Sequence, residues 1–258
     1  MKKVLTVAGS DSSGGAGIQA DIKTITVHKM YAMSVITAVT AQNTTGVTDV
    51  VELSPDFVGK QLDAVLSDIF PNSVKTGMVS SPEIIEMIAL KFKQYKVKNI
   101  VADPVMVSTS GHKLISENAI EMMVKELMPL ARVVTPNIYE AETISGIKIT
   151  DRESMVKGAE IIAEKTGTAV LLKGGHLDAT DLLYENGEIS WFYGEKINNP
   201  NTHGTGCTLS SAIACNLAAG QSLKDAVKNA KMYLAGAISA MLDLGKGRGP
   251  LMHNYMLK

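Results

Sequence analysis

Short apolar runs that stop at a small or polar residue alternate with segments of helical periodicity along almost the whole of this chain. Strand runs are read at residues 3–8, 34–41, 48–53, 74–76, 99–102, 132–135 and 168–172. Residues 182–184 and 188–192 form a hairpin across Asn186-Gly187, the strongest short hairpin signal. Helices are read at 18–29, 55–69, 82–95, 116–127 (with Ser116 as cap), 139–145, 152–165, 205–219 and 223–242. Alternation of this kind builds a largely parallel, doubly wound sheet, and the absence of a linker or repeat makes residues 1–258 one α/β domain. The glycine-rich tail beyond Gly245 is expected to be loosely held.

In doubly wound sheets ligands sit beyond the carboxyl ends of the strands. The residues there are Gly9, Asp11, Gln42, Met78, Asp103, Val105, Asn137, Glu140 and Lys173, small or polar in the main. A 45% hydrophobic content is enough for a sizeable core, and a net charge of −1 advertises neither nucleic acid nor an anionic membrane. There is no apolar run of about 18 residues to cross a bilayer. The apolar part of the N-terminus is too short for a signal peptide. Cys207 and Cys215 lie on one expected helix, roughly 12 Å apart by its rise, too far for a disulfide. Free thiols fit a reducing cytoplasm.

Asn201-Thr202-His203-Gly204-Thr205-Gly206-Cys207-Thr208 is a glycine-bearing turn that runs into a helix. A helix's first turn has unpartnered N–H groups and partial positive charge. Glycines let an anion approach that backbone closely. Gly204, Thr205 and Gly206 therefore read as an anion hole, or as an ordinary glycine-capped helix start. Cys207 stands in the same turn, where the helix end is expected to lower its thiol pKa. It reads as nucleophile, general base or small buried residue; beside a phosphate-binding hole, deprotonating a substrate hydroxyl suits it best. His203 is a conceivable base for it across the turn.

Gly14-Gly15-Ala16-Gly17 matches neither a dinucleotide-binding nor a Walker A pattern. It reads as a tight turn, or as a place where a flat ring comes close. Asn137 and Glu140, one helical turn apart, could hold a hydrated Mg²⁺ against phosphates, or form a capping box. Lys173 could neutralise phosphate charge or be a bystander. Asp103 could be an acid near the site or cap the turn at Pro104. The small-residue loop 107–112 is of a kind that closes over sites. His112, His176 and His203 have no zinc-ligand spacing with the cysteines.

Together these stretches resemble the ribokinase-like superfamily, and within it the hydroxymethylpyrimidine/phosphomethylpyrimidine kinases of thiamine biosynthesis. The likeness rests on the run from Ala8 to Asp21, on Thr40-Ala41-Gln42-Asn43-Thr44 and on Lys75-Thr76-Gly77-Met78. It continues in Asp103-Pro104-Val105-Met106-Val107, Thr135-Pro136-Asn137 with Glu140, Lys173-Gly174-Gly175-His176 and Thr202 to Thr208, seven motifs in order. The resemblance implies a three-layer α/β/α fold. It also implies ATP- and Mg²⁺-dependent phosphorylation of 4-amino-5-hydroxymethyl-2-methylpyrimidine and then of its monophosphate, in a cytoplasmic enzyme that forms homodimers. It casts Gly9, Asp11, Gln42, Met78 and Val105 as the pyrimidine pocket, with Gln42 as polar anchor. Gly204 to Cys207 become the anion hole, with Cys207 as base where most of the superfamily has aspartate. Asn137, Lys173 and Thr202 become nucleotide contacts, and Glu140 and Asp103 reach Mg²⁺ directly or through water. Pyridoxal kinase is the rival within the family. Relatives acting on vitamin B6 typically carry cysteine in the lid and methionine at the amide anchor, where this chain has Ser108 and Gln42.

Overall fold

The computed structural model describes residues 1–106, 115–175 and 179–257. One nine-stranded sheet, β1 (Lys3–Asp11) to β9 (Glu188–Phe192), organises the chain. The other strands are β2 (Tyr31–Asn43), β3 (Gly46–Glu52), β4 (Ser73–Thr76), β5 (Ile100–Ala102), β6 (Val133–Val134), β7 (Ala169–Leu172) and β8 (Asp181–Glu185). Their order is β3-β2-β1-β4-β5-β6-β7-β8-β9. In spatial order the six strands from β2 to β7 pair in parallel; β3 pairs antiparallel with β2 at one edge, and at the other β8 pairs antiparallel with both β7 and β9. The mostly parallel, doubly wound sheet expected from the alternation is therefore present.

Side chains alternate across each strand, so neighbours serve opposite cores. Leu5 and Val7 join the cluster under α2 (Pro55–Asp68), α3 (Pro82–Tyr95), α4 (Glu117–Met122), α5 (Ile138–Ser145) and α6 (Arg152–Thr166). Val4 joins the cluster under α1 (Gly17–Val27), α7 (Thr205–Ala218) and α8 (Leu223–Ser239). These are the two outer layers. Ser54 and Ser81 cap α2 and α3, each followed by proline at the first helical position. Ser116 caps α4 as the sequence predicts.

Two expectations are corrected. The helix read over 116–127 keeps α geometry only to Met122, then widens into a π turn over Met123–Leu127. Pro129 in the following 3₁₀ turn has no N–H, so an α ladder cannot run through it. The tail is not loose: Gly249 N donates to Asn201 Oδ1, His203 N donates to the Gly249 carbonyl, and Leu251 and His253 are buried. Glycines that read as flexible instead allow close packing, as at Gly247 against the Thr44 backbone.

The sheet order reverses at β1 and β4, since β2 and β3 lie on one side of β1 and the later strands on the other. Ligands of doubly wound sheets bind at such a reversal. The first turn of α7, a helix that packs on β1, β4 and β5, opens there.

Candidate active site

Gly204 opens α7 in the left-handed region, with φ of 83°, and no side chain caps the helix. A Cβ on Gly204 would collide with the Gly15 carbonyl, so both the dihedral and the space require glycine. The anion hole predicted over Gly204, Thr205, Gly206 and Cys207 is thus an uncapped helix N-terminus. Thr202 forms the turn before it, its carbonyl accepting from Thr205 N at 3.4 Å.

Two lysine–aspartate pairs lie under this turn. Lys173, at the end of β7, donates to Asp103 Oδ1 at 2.9 Å; Thr135 Oγ1 donates to the same oxygen at 2.9 Å and Ser210 Oγ to Oδ2 at 3.2 Å. A Cβ on Gly206 would lie 3.5 Å from Asp103 Oδ2 and 3.6 Å from Lys173 Nζ, so the pair touches the anion hole. The second pair is wholly buried: Lys75 Nζ lies 2.8 Å from Asp21 Oδ2, and Asp21 also accepts from Thr6 Oγ1 and from Ser211 Oγ at 2.7 Å. Ser210 and Ser211 thus tie the first turns of α7 to both carboxylates.

Charge follows this geometry. Burial alone would push the Lys173 ammonium down, but Asp103 and Glu140 outweigh it and hold it up. Burial opposes ionisation of Asp103, and Lys173 and Lys75 override it, holding the carboxyl below its usual range. Burial pushes Glu140 up to about 7; Lys173 opposes that shift and Asp103 adds to it. The thiol of Cys207 does not behave as its helix position predicts. The residue is half-buried but its sulfur is enclosed, and desolvation pushes it up to about 11, Lys75 opposing and Asp21 and Asp103 adding. Desolvation of the thiolate outweighs the helix end.

Asn137 and Glu140 form a complete capping box: Asn137 Oδ1 accepts from Glu140 N at 3.0 Å and Glu140 Oε2 from Asn137 N at 2.8 Å. Glu140 Oε1 accepts from Met106 N at 3.3 Å. Asn137 bridges to Lys173 in parallel register, which places it beside the ion pair. These bonds, with those to Asp103, hold both carboxylates beside Lys173. Among the described residues no three His, Cys, Asp or Glu side chains gather as a metal cage.

Gly9 marks a register shift between β1 and β2, and a Cβ there would stand 2.6 Å from Met78 Cε, so the two line one wall. Val105 comes two residues after Asp103, half-buried, its N–H on the Asp103 carbonyl at 2.9 Å. Gln42 is tied to the first loop through Ser12 Oγ and faces His203, and both line a cavity of about 430 Å³ with Asn43, Thr44 and Arg248. Asp11 turns inward. It accepts from Ser13 N, Gly15 N, Ala16 N and His203 Nε2, the last at 2.8 Å, and although burial opposes it these bonds bring its carboxyl down to about 2. Its carboxylate thus shapes the loop. His203, the conceivable partner of Cys207, is engaged by Asp11 instead. Gly15 meets the His203 ring and Gly17 the Gly9 carbonyl, so the loop's glycines serve self-approach of the chain. Residues 107–112, read from the sequence as a loop of the kind that closes over sites, with Ser108 and His112, and also His176, lie outside the described residues.

Sequence reasoning missed Lys75 and Asp21. A lysine within the four-residue strand β4 is the one local signal, and its partner lies 54 positions away.

A sequence profile described as phosphomethylpyrimidine kinase matches residues 11–252. The chain is 49% identical to the hydroxymethylpyrimidine/phosphomethylpyrimidine kinase of Rhizobium meliloti, over 96% of both chains. It is also 49% identical to the thiamine biosynthesis bifunctional protein ThiED of Geobacter sulfurreducens, with 97% of this chain matched but only 52% of that protein. The chain therefore spans about half the length of such bifunctional relatives. Among solved structures, phosphomethylpyrimidine kinase from Clostridium difficile 630 superimposes with a TM-score of 0.83 at 48% identity, covering 92% of this chain and 100% of that one. An ADP complex of Bacillus subtilis pyridoxal kinase gives 0.92 at 35%, covering 99% and 98%. An uncapped helix mouth backed by a lysine–aspartate pair, on a doubly wound sheet matched this closely, places the chain in the phosphomethylpyrimidine kinase family of ribokinase-like kinases.

Proposed function

We propose that this chain phosphorylates 4-amino-5-hydroxymethyl-2-methylpyrimidine, and then its monophosphate, with ATP as donor, and that residues 1–258 act as one catalytic domain. The observation that carries the proposal is the uncapped first turn of α7, with Lys173 and Asp103 against Gly206 and the Gln42 cavity nearby. The substrate alcohol oxygen attacks the terminal phosphorus of ATP; a new O–P bond forms as the bond to the ADP oxygen breaks. Charge on the moving phosphoryl oxygens is met by the N–H groups of Gly206 and Cys207 and by Lys173, fixed donors that need no rearrangement. The hydroxyl proton passes to the Cys207 sulfur in its thiolate form. Since the thiol sits near 11, that form is roughly one in 10⁴ at pH 7, so positioning and electrostatics carry most of the rate.

Gly9, Met78 and Val105 bound the ring pocket, and the Gln42 amide offers the donor and acceptor an aminopyrimidine edge needs. Asn137 and Thr202 flank the nucleotide phosphates. Glu140 and Asp103 would hold a nucleotide-bound Mg²⁺, directly or through its waters, and the ion would supply neutralising charge to the phosphates. A homodimer is part of the same proposal, with the exposed Val39, Val50 and Val51 of the β2–β3 ribbon as an apolar surface for it. No helix among the described residues is long and apolar enough to cross a membrane, and both cysteines are free, as a reducing cytoplasm requires.

Product analysis after incubation with the pyrimidine alcohol and ATP tests the proposal. Monophosphate followed by diphosphate is expected; no phosphorylated pyrimidine would refute it. Pyridoxal kinase activity is the second possibility, favoured by the likeness to the Bacillus subtilis structure, and pyridoxal in place of the pyrimidine tests it in the same assay.

A further inference from the structure

Gln42 and His203 line the 430 Å³ cavity, and two further polar groups bond to them, Asp11 to His203 and Thr40 to Gln42. The Gln42 amide is placed with Nε2 3.4 Å from His203 Nε2 and Oε1 3.1 Å from Thr40 Oγ1, two ends of nearly the same shape whose assignment follows from the hydrogen-bond network. Their protons can be counted. Asp11 is ionised at neutral pH, with its carboxyl held near 2, and can only accept. His203 Nε2, 2.8 Å from Asp11 Oδ2, must therefore carry a proton, which it donates to that oxygen. With the Gln42 Nε2 on the His203 side, two N–H donors would face each other. Thr40 has one hydroxyl proton, and the Ser10 carbonyl at 2.9 Å takes it. The Thr40 oxygen is then left to accept, and the amide end facing it must be the –NH₂. Both counts turn the amide over from that placement, with Oε1 toward His203 and Nε2 toward Thr40.

We infer that His203, held by Asp11, is a specificity-setting positioning residue: it fixes the Gln42 amide with Oε1 toward the imidazole and Nε2 toward Thr40, so that one donor–acceptor order faces the ring. A glutamine side chain free to turn over presents either order, because its two ends are nearly the same shape. A fixed one accepts a ring edge of the matching order and sets donor against donor, or acceptor against acceptor, for the reverse. At 3.4 Å the His203–Gln42 contact is an electrostatic bias and not a full hydrogen bond. The firm bonds are Asp11–His203 on one side and Thr40 on the other. The Asp11–His203 pair also joins the first loop to the residue preceding Gly204, so the device that orients the ring anchor abuts the anion hole.

The inference rests on the proposed pyrimidine substrate, but its first test does not. Nitrogen-15 NMR of the ligand-free full chain, with His203 assigned by comparison with His203→Gln, reads the tautomer directly. A protonated Nε2 is expected; a bare Nε2 with the proton on Nδ1 would overturn the inference. Kinetics supply the second test. His203→Leu should raise KM for the pyrimidine alcohol about 10-fold or more while KM for ATP stays within about twofold. The preference in kcat/KM for the pyrimidine over pyridoxine should fall by at least about 10-fold. His203→Gln, whose amide can place a donor where Nε2 stood, should recover most of that preference, and Thr40→Val should reproduce the loss. An unchanged preference in both His203→Leu and Thr40→Val would refute the positioning role. Failure of the wild-type chain to phosphorylate the pyrimidine at all would instead strike the substrate assignment, leaving the tautomer to stand or fall by NMR.

Discussion

Lys173 Nζ lies 2.9 Å from Asp103 Oδ1, joining the ends of β7 and β5, and a Cβ added to Gly206 would lie within 3.6 Å of both groups. A cation and an anion are therefore fixed beside the first turn of α7, where the proposed phosphoryl transfer takes place.

Lys173→Met should be costly twice over. It removes positive charge from the anion hole and strands Asp103, only 3% exposed, without its main counter-charge. Breaking a buried pair from one side destabilises by about 3–5 kcal/mol. Turnover should fall by about 10²-fold or more. Steady-state kinetics and thermal melting check this; a variant with normal turnover would remove Lys173 from the site.

Glu140 makes stability depend on pH. Its carboxyl rises from 4.5 to about 7 in the folded chain. Between those values the folded state holds a proton that the unfolded state has released. Stability from this group is full below the lower value, falls as pH rises through the window and is level above it, by about 1.4 kcal/mol for each unit of the shift. Denaturation midpoints at pH 5 and pH 8 should show that loss in the wild type, and Glu140→Gln should flatten it. Equal slopes in the two proteins would contradict the burial argument.

Cys207 is expected to react slowly with iodoacetamide at pH 7, since its thiol sits near 11. If it is the base, kcat should climb with pH through the neutral range without a plateau. Cys207→Ala should lower kcat by about 10²-fold, keep ATP binding and lose that climb. A neutral-pH plateau in the wild type, or full activity in the variant, would exclude the role.

The C-terminal segment should prove part of the active site. His253, pushed down to about 4 by burial with Lys23 adding, lies 3.0 Å from Thr208 Oγ1 in the first turn of α7, and Tyr233 donates to its carbonyl at 2.7 Å. Thr208 in turn donates to the Gly204 carbonyl, so His253 is the donor to Thr208. Removing residues 246–258 should lower both melting temperature and turnover. Because the folded pKa of His253 is depressed, its share of stability is present above about 6.5 and lost as pH falls toward 4. His253→Gln should soften the acid-side loss seen in urea titrations; an unaltered acid limb would show the imidazole to be exposed.

The sheet and most helix starts were legible because they rest on local chemistry: Ser54-Pro55 and Ser81-Pro82 announce α2 and α3, and Asn186-Gly187 announces the β8–β9 turn. Gly204 and Gly206 announced the helix mouth. What stayed hidden depends on distant partners. Lys75 sits in the core because Asp21 waits on α1, and His203, 192 positions on, adds the distant bond to an Asp11 already held by its own loop. The tail read as loose since its glycines hide contacts with Thr44 and Asn201 that no periodicity marks. The Cys207 thiol was misjudged because depth, which a sequence does not state, outweighs the helix end that it does.

The central claim is that the amides opening α7 hold the phosphoryl group in transfer. A crystal structure of the chain with a non-hydrolysable ATP analogue and the pyrimidine alcohol tests it most directly. The terminal phosphate should lie within about 3 Å of the Gly206 and Cys207 nitrogens, with Lys173 in contact. A terminal phosphate bound elsewhere, with those amides facing solvent, would contradict it.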